Sequence, residues 1–414
     1  TTPDYTLQTT ALDLGTFFHS IVIGGPNPAD RNVLAGSGRD ADGLPGGGGM
    51  TLRANSKNGA TGQIKFQGNL IGLAPDGVTP LPLHYSVLVN AGDDSFSTPV
   101  IHILDNRFAR PIRDFSSVAY GALYFTTGRH MTTPAIIQGN VFGLGVDGSR
   151  IGVAGDHIVV SQGSSLTLPR LTIGGMGPRQ GNVFAAGMAP PGIPSQGSAV
   201  VLNPNMIASH VEFVGNTLLG NAGIGLDFSV STAGGGIGWG HSPNDPGDAD
   251  TGPNNRQNFP SITSFAVDED HFQLSYRVDS HPDHSAYPLQ VDFYKALGDE
   301  GEVLLDSDVY LAESASLPVT RTLMIPSGVN LSQDDVVVAI ATDAEGRSSE
   351  FSFDTVSLMI EPLPSQPAGM PLEVEVVATA TSGPFKPNGV VTVVYNTSSA
   401  IRCEAQLHPT NQPL

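Results

Sequence analysis

The feature that most constrains this chain is that it repeats itself. Ile21-Val22-Ile23-Gly24-Gly25-Pro26, leading to Arg31-Asn32-Val33-Leu34-Ala35, aligns without gaps on Leu171-Thr172-Ile173-Gly174-Gly175-Met176, leading to Gly181-Asn182-Val183-Phe184-Ala185. Phe66-Gln67-Gly68-Asn69-Leu70-Ile71-Gly72-Leu73 aligns in the same way on Ile137-Gln138-Gly139-Asn140-Val141-Phe142-Gly143-Leu144, and both end in Asp-Gly. Shorter echoes surround Asn106 and Asn216. The asparagines of the units, at 32, 69, 106, 140, 182 and 216, are 37, 37, 34, 42 and 34 residues apart. Between them lie runs of four or five β-formers bounded by Gly, Asn or Asp, which end strands. A period this irregular does not suit a propeller. It suits a coil whose strands stack while its loops vary, a right-handed parallel β-helix. In such a coil alternate aliphatic residues fill a narrow core. Gly and Asn take the corners, where φ is often positive, and stacked Asn side chains can trade amide hydrogen bonds.

Composition agrees. Among 414 residues there are 50 Gly and 32 Pro, which would break helices throughout. Acidic residues number 39 against 19 Lys plus Arg, a formal charge of −20. That surface repels phosphate backbones, so nucleic acid is not an expected partner. The single Cys403 excludes a disulfide framework and a Cys-based zinc site. No apolar run reaches the length of a membrane span. Thr1-Thr2-Pro3-Asp4 is not a signal peptide, so either the chain is cytosolic or a signal has already been removed; export is the expectation carried forward. The end at Leu414 reads as a cut or incomplete last domain.

The Ile-Gly-Gly…Arg-Asn-Val and Gln-Gly-Asn…Gly-Leu…Asp-Gly units resemble those of right-handed parallel β-helix repeat proteins from exported bacterial surface and secreted proteins. So does the junction Asn244-Asp245-Pro246-Gly247-Asp248-Ala249-Asp250-Thr251-Gly252-Pro253-Asn254-Asn255. In that family a β-sandwich commonly follows, ending in a segment like Ala341-Thr342-Asp343-Ala344-Glu345-Gly346-Arg347-Ser348-Ser349-Glu350-Phe351-Ser352. The fold hosts lyases, hydrolases, adhesins and spacers, so the resemblance speaks to architecture more than activity. The expected class is all-β: a right-handed parallel β-helix over 1–235, an acidic junction at 236–258 and an Ig-like β-sandwich over 259–360. A Pro-rich linker at 361–370 and a short β segment at 371–414, partial or strand-exchanging, complete the plan.

Two groups of residues are candidate sites. In the junction, Asn244, Asp245, Asp248 and Asp250 offer hard oxygens on a turn-rich loop and suit a structural Ca²⁺, without EF-hand spacing. The competing reading is a solvated turn. In the coil, ionisable groups crowd positions 84–130, and His102, Asp105, Arg107 and Arg110 are the catalytic candidates there if the protein is an enzyme. Outward-facing charge explains the same residues without chemistry. The favoured reading is an extracellular or cell-surface structural or adhesive protein. It would meet polysaccharide or neighbouring copies of itself, as a filament subunit joined by strand donation. The alternative is a carbohydrate-active enzyme, a polysaccharide lyase or hydrolase with a groove along the helix.

Overall fold

A computed structural model describes residues 10–13, 20–34, 38–39, 45–46, 49–54, 62–81, 87–91, 100–109, 121–127, 133–162, 170–189, 197–204, 206, 209–231, 237–238, 240–297, 300–353, 356–360, 376–380, 389–395 and 401–407. The chain is all-β, and no α-helix occurs among the described residues. Three parallel sheets, of seven, six and six strands, wrap around one core. A coil runs from a strand such as Val100–Leu104 through an Asn corner to a two-residue strand such as Arg107–Phe108, and on to a strand such as Leu123–Thr127. This is the parallel β-helix read from the repeats.

Strand pairing stacks like on like. Ile64, Ile101, Ala135, Leu171 and Val211 form one inward row, and Phe66, Ile103, Ile137, Ile173 and Phe213 form another. All of these side chains are buried. On the short-strand sheet, Ile71, Phe108, Phe142, Phe184 and Leu218 align. Their rings stack, with centroids 4.6 Å apart for Phe108–Phe142 and 4.9 Å for Phe142–Phe184.

The asparagines form the ladder expected of them. The side-chain oxygen of Asn69 receives both the main-chain and side-chain N–H of Asn32, and Asn106, Asn140, Asn182 and Asn216 repeat this for the rung before. Each amide from Asn69 onward also donates to a strand carbonyl, as Asn106 does to Phe66. In four of the six units the residue before the Asn turns with positive φ: Gly68, Gly139 and Gly215, with Asp105 (φ 54°) in the same place. At Gly72 and Gly143 the reason for glycine is contact. A Cβ there would stand 1.8 Å from the carbonyl oxygen of Ala109 or Ala185.

After the coil, a β-sandwich packs two three-stranded antiparallel sheets. One orders Ser261–Asp268, His271–Arg277 and Val319–Met324; the other orders Glu300–Tyr310, Leu289–Leu297 and Val336–Thr342. The second sheet is buried on both faces. Val291, Phe293, Val337, Ala339 and Ala341 line the sandwich interior, whereas Tyr294, Val338 and Ile340 join the core of the coil with Phe351. Period-two alternation explains the split, and two-sided burial explains the unbroken apolar run Val336–Ala341.

The sandwich thereby closes the end of the coil. The last coil has no successor to accept its strand N–H groups, and sandwich and junction side chains accept them instead. Val211 donates to Asn254 Oδ1 (2.9 Å), Phe213 to Ser348 Oγ (2.8 Å) and Gly215 to the Tyr294 hydroxyl (3.1 Å). Asn221 donates to Glu300 Oε2 (2.9 Å) and Phe228 to Glu350 Oε1 (2.6 Å).

Beyond the sandwich, Val356–Ile360 pairs with Val376–Ala380, and Gly389–Tyr395 with Ile401–Leu407. No helix among the described residues is long and apolar enough to cross a membrane.

Candidate functional site

Among the described residues, the acidic junction is the place where three carboxylates offer oxygens close enough together to share an ion. Its loop reverses direction through Gly247 (φ 73°) and Asp248 (φ 61°), and then through Asn254, Asn255 and Arg256, all with φ near 50°. Asn and Asp tolerate this left-handed region better than other side chains. The turns bring one carboxylate oxygen each of Asp245, Asp248 and Asp250 within 4.8 Å of one another. Two oxygens on opposite sides of a Ca²⁺ ion stand roughly 4.6–5.2 Å apart, so the spacing fits a hard cation.

Hydrogen bonds sort the three. Asp248 is 3% exposed, and its oxygens receive Asn258 N (2.8 Å) and Ser285 Oγ (2.5 Å). Asp245 Oδ2 receives Ala249 N at 3.0 Å. Asp245 Oδ1 and Asp250 Oδ1 are buried and receive no donor. The cation facing them is Arg256, whose Nη1 lies 3.8 Å from Asp250 Oδ2. Burial, and then the neighbouring Asp245 and Asp250, push the Asp248 carboxyl up to about 6 against the pull of Ser285 and Asn258. Asp250 is raised by burial and then by Asp245, with Arg256 opposing. A bound divalent ion would reverse that balance and hold all three ionised. Asn244 plays another part. Its Oδ1 receives Phe259 N at 3.0 Å and its Nδ2 donates to Phe259 O at 2.9 Å, so both ends of the amide tie the loop to the start of the sandwich.

The coil candidates are placed separately. His102 stands on the outward row of its sheet, in register with Lys65 and Ile136, with Nδ1 2.7 Å from Gln63 Nε2. Burial, then Lys65, lowers its pKa. Asp105 is a corner residue whose Oδ2 receives Gln67 Nε2 at 2.8 Å. Arg107 lies past the corner and donates through Nη1 to the carbonyls of Gly145 (2.7 Å) and Leu144 (3.3 Å), pinning the next coil's loop. No hydrogen bond or ion pair joins any two of these three. Arg110 lies outside the described residues, as do His84, Asp93, Asp94, Arg113, Asp114, Arg129 and His130.

The contact between coil and sandwich is carried by Tyr294 and Glu300, which no motif singled out, by Ser348 and Glu350 from the segment that ends the sandwich, and by Asn254 from the junction. The available signal was the unbroken run Val336–Ala341, which a strand exposed on one face does not show. No family model, curated protein or solved structure matches this chain.

Proposed function

We propose that this protein is a rigid scaffold, an extracellular or cell-surface structural or adhesive component that presents its coil to polysaccharide or to neighbouring copies of itself. The observation that carries the reading is the continuous core: coil residues from Ile64 to Phe228 and sandwich residues Tyr294, Val338, Ile340 and Phe351 belong to one cluster. A rod and module sharing a core resist bending as two tethered domains do not. The acidic balance and near-absence of cysteine are compatible with an extracellular setting. The same reading gives the acidic junction a structural hard cation such as Ca²⁺, supported by the unpaired buried oxygens of Asp245 and Asp250.

The test is incubation with a panel of acidic and neutral polysaccharides, with release of unsaturated products and reducing ends measured beside a pull-down on the same polymers. Binding or self-association without product is the expected result. Product that disappears in His102→Ala or Arg110→Ala would replace the scaffold with a polysaccharide lyase or hydrolase.

A further inference from the structure

Two further carboxyl groups lie buried where coil and sandwich meet, and a third, Asp156, lies buried in the coil behind them. Asp156 precedes the strand Ile158–Gln162, Asp227 belongs to the last coil strand Leu226–Phe228, and Glu350 follows the sandwich. They are 5%, 0% and 1% exposed. Glu350 bridges two elements: Oε1 receives Phe228 N and Oε2 receives Ser242 N, both at 2.6 Å. Asp227 Oδ2 receives Gly240 N (3.0 Å) and Ser198 Oγ (3.4 Å), while its Oδ1 is buried and receives no donor. Asp156 Oδ1 receives the N–H groups of Gly197 and Ser198. Among the described residues, the charges that act on the pair are these. Asp156 acts on Asp227, and Asp227 and Arg256 act on Glu350. His241 lies in sequence between the donors Gly240 and Ser242, and its ring stacks on Phe353 with centroids 3.8 Å apart.

Buried carboxyl groups without matched cations are held more easily with a proton than without one. We propose that this joint is a proton-sensitive latch: the closed contact between the last coil and the sandwich keeps protons on Asp227 and Glu350 that the parted contact releases. Rising pH then loosens the sandwich from the coil end.

The electrostatics agree. Burial, assisted by Asp156, pushes Asp227 up to about 7. Burial, assisted by Asp227, pushes Glu350 up to about 8, against the two N–H donors and Arg256. With folded values above unfolded ones, the stabilisation is fully present below the ordinary values of 3.8 and 4.5 and is lost as pH rises through 7 and 8.

The experiment is urea unfolding of the full chain between about pH 6.5 and 8.5, a window set by those two carboxyls. Emission of Trp239, the one tryptophan, is the readout. The unfolding constant of the unaltered protein should rise by up to about tenfold per pH unit for each proton released. Asp227→Asn and Glu350→Gln should each reduce that slope, and the double variant should be nearly flat. A flat profile in the unaltered protein, or variants that keep its full slope, would overturn the latch. Because either variant can weaken folding, a second measurement uses the unaltered chain alone. Calorimetric unfolding at about pH 6.5, in buffers of different ionisation enthalpy, counts the protons exchanged. Release of about one to two protons supports the proposal, and no release or net uptake overturns it.

Discussion

Asn140 illustrates what one corner residue contributes. Its side-chain oxygen accepts two N–H groups of Asn106, and its amide donates to Asn182 and to Ile103 O. All of this lies at 0% exposure. Replacement by Ala leaves the buried N–H of Asn106 without an acceptor, and each such group costs about 1–3 kcal/mol. Asn140→Ala should therefore destabilise the protein by about 2–5 kcal/mol in urea titrations. Asn32 begins the ladder and is exposed, with water at hand. Asn32→Ala should cost about 1 kcal/mol or less. Equal losses at the two positions would refute a ladder whose worth depends on burial. The ladder was legible in the sequence because the spacing of Gly-Asn units is local information. The role of Asp105 was not. It sits where other coils have glycine, and only its positive φ identifies a corner residue in what the sequence offers as an acid beside His102 and Arg107.

At the scale of elements, the strand Leu289–Leu297 decides the layout, because its alternate residues serve two cores. Tyr294 is the joining residue. Its ring packs edge-on against Phe351, with centroids 5.3 Å apart, and its hydroxyl accepts Gly215 N. Tyr294→Phe keeps the packing and leaves one buried donor unpaired, so it should cost about 1–3 kcal/mol. Tyr294→Ala adds a cavity and should cost about 3–5 kcal/mol. Similar values for the two would place the worth of this residue in its hydroxyl alone. The strands themselves were readable from alternation, but the face meeting the coil was not, since nothing local says which partner an apolar row will find. The junction loop is the other deciding element. Its acids were visible as a group in the sequence, yet that the amide of Asn244 bonds Phe259 at both ends required the fold. Millimolar Ca²⁺ should raise the Tm relative to chelator by roughly 3–8 °C. Asp250→Asn should abolish that rise, and an unchanged Tm in the intact protein would remove the cation from the account.

For the whole molecule, the pH dependence of stability is a sum over groups that burial shifts in opposite directions. His157 lies in the coil core between Phe142 and Phe184, with ring centroids 5.8 and 5.7 Å away. Its Nε2 meets Asn221 Oδ1 at 2.8 Å, so that nitrogen carries the proton of the neutral ring. The other nitrogen is buried and has no partner. Protonation would place a charge and an unmatched N–H there, and burial accordingly lowers the pKa from 6.5 to about 4, with Asn221 opposing. A folded value below the unfolded one means that the contribution of His157 is intact above 6.5 and is lost as pH falls toward 4. The carboxyls of the joint act in the reverse sense, gaining over the same interval. Because Asp227 and Glu350 together outweigh one histidine, the maximum of stability should lie on the acid side of neutrality, where the self-repulsion of a chain of net charge −20 also falls. His157→Gln isolates the histidine. Relative to the unaltered protein, the variant should gain about 2–4 kcal/mol as pH falls from 6.5 to 4. Above 6.5 the difference between the two proteins should be constant. A difference independent of pH throughout would show that the ring is not held neutral, and would mean that water reaches the coil core between Phe142 and Phe184.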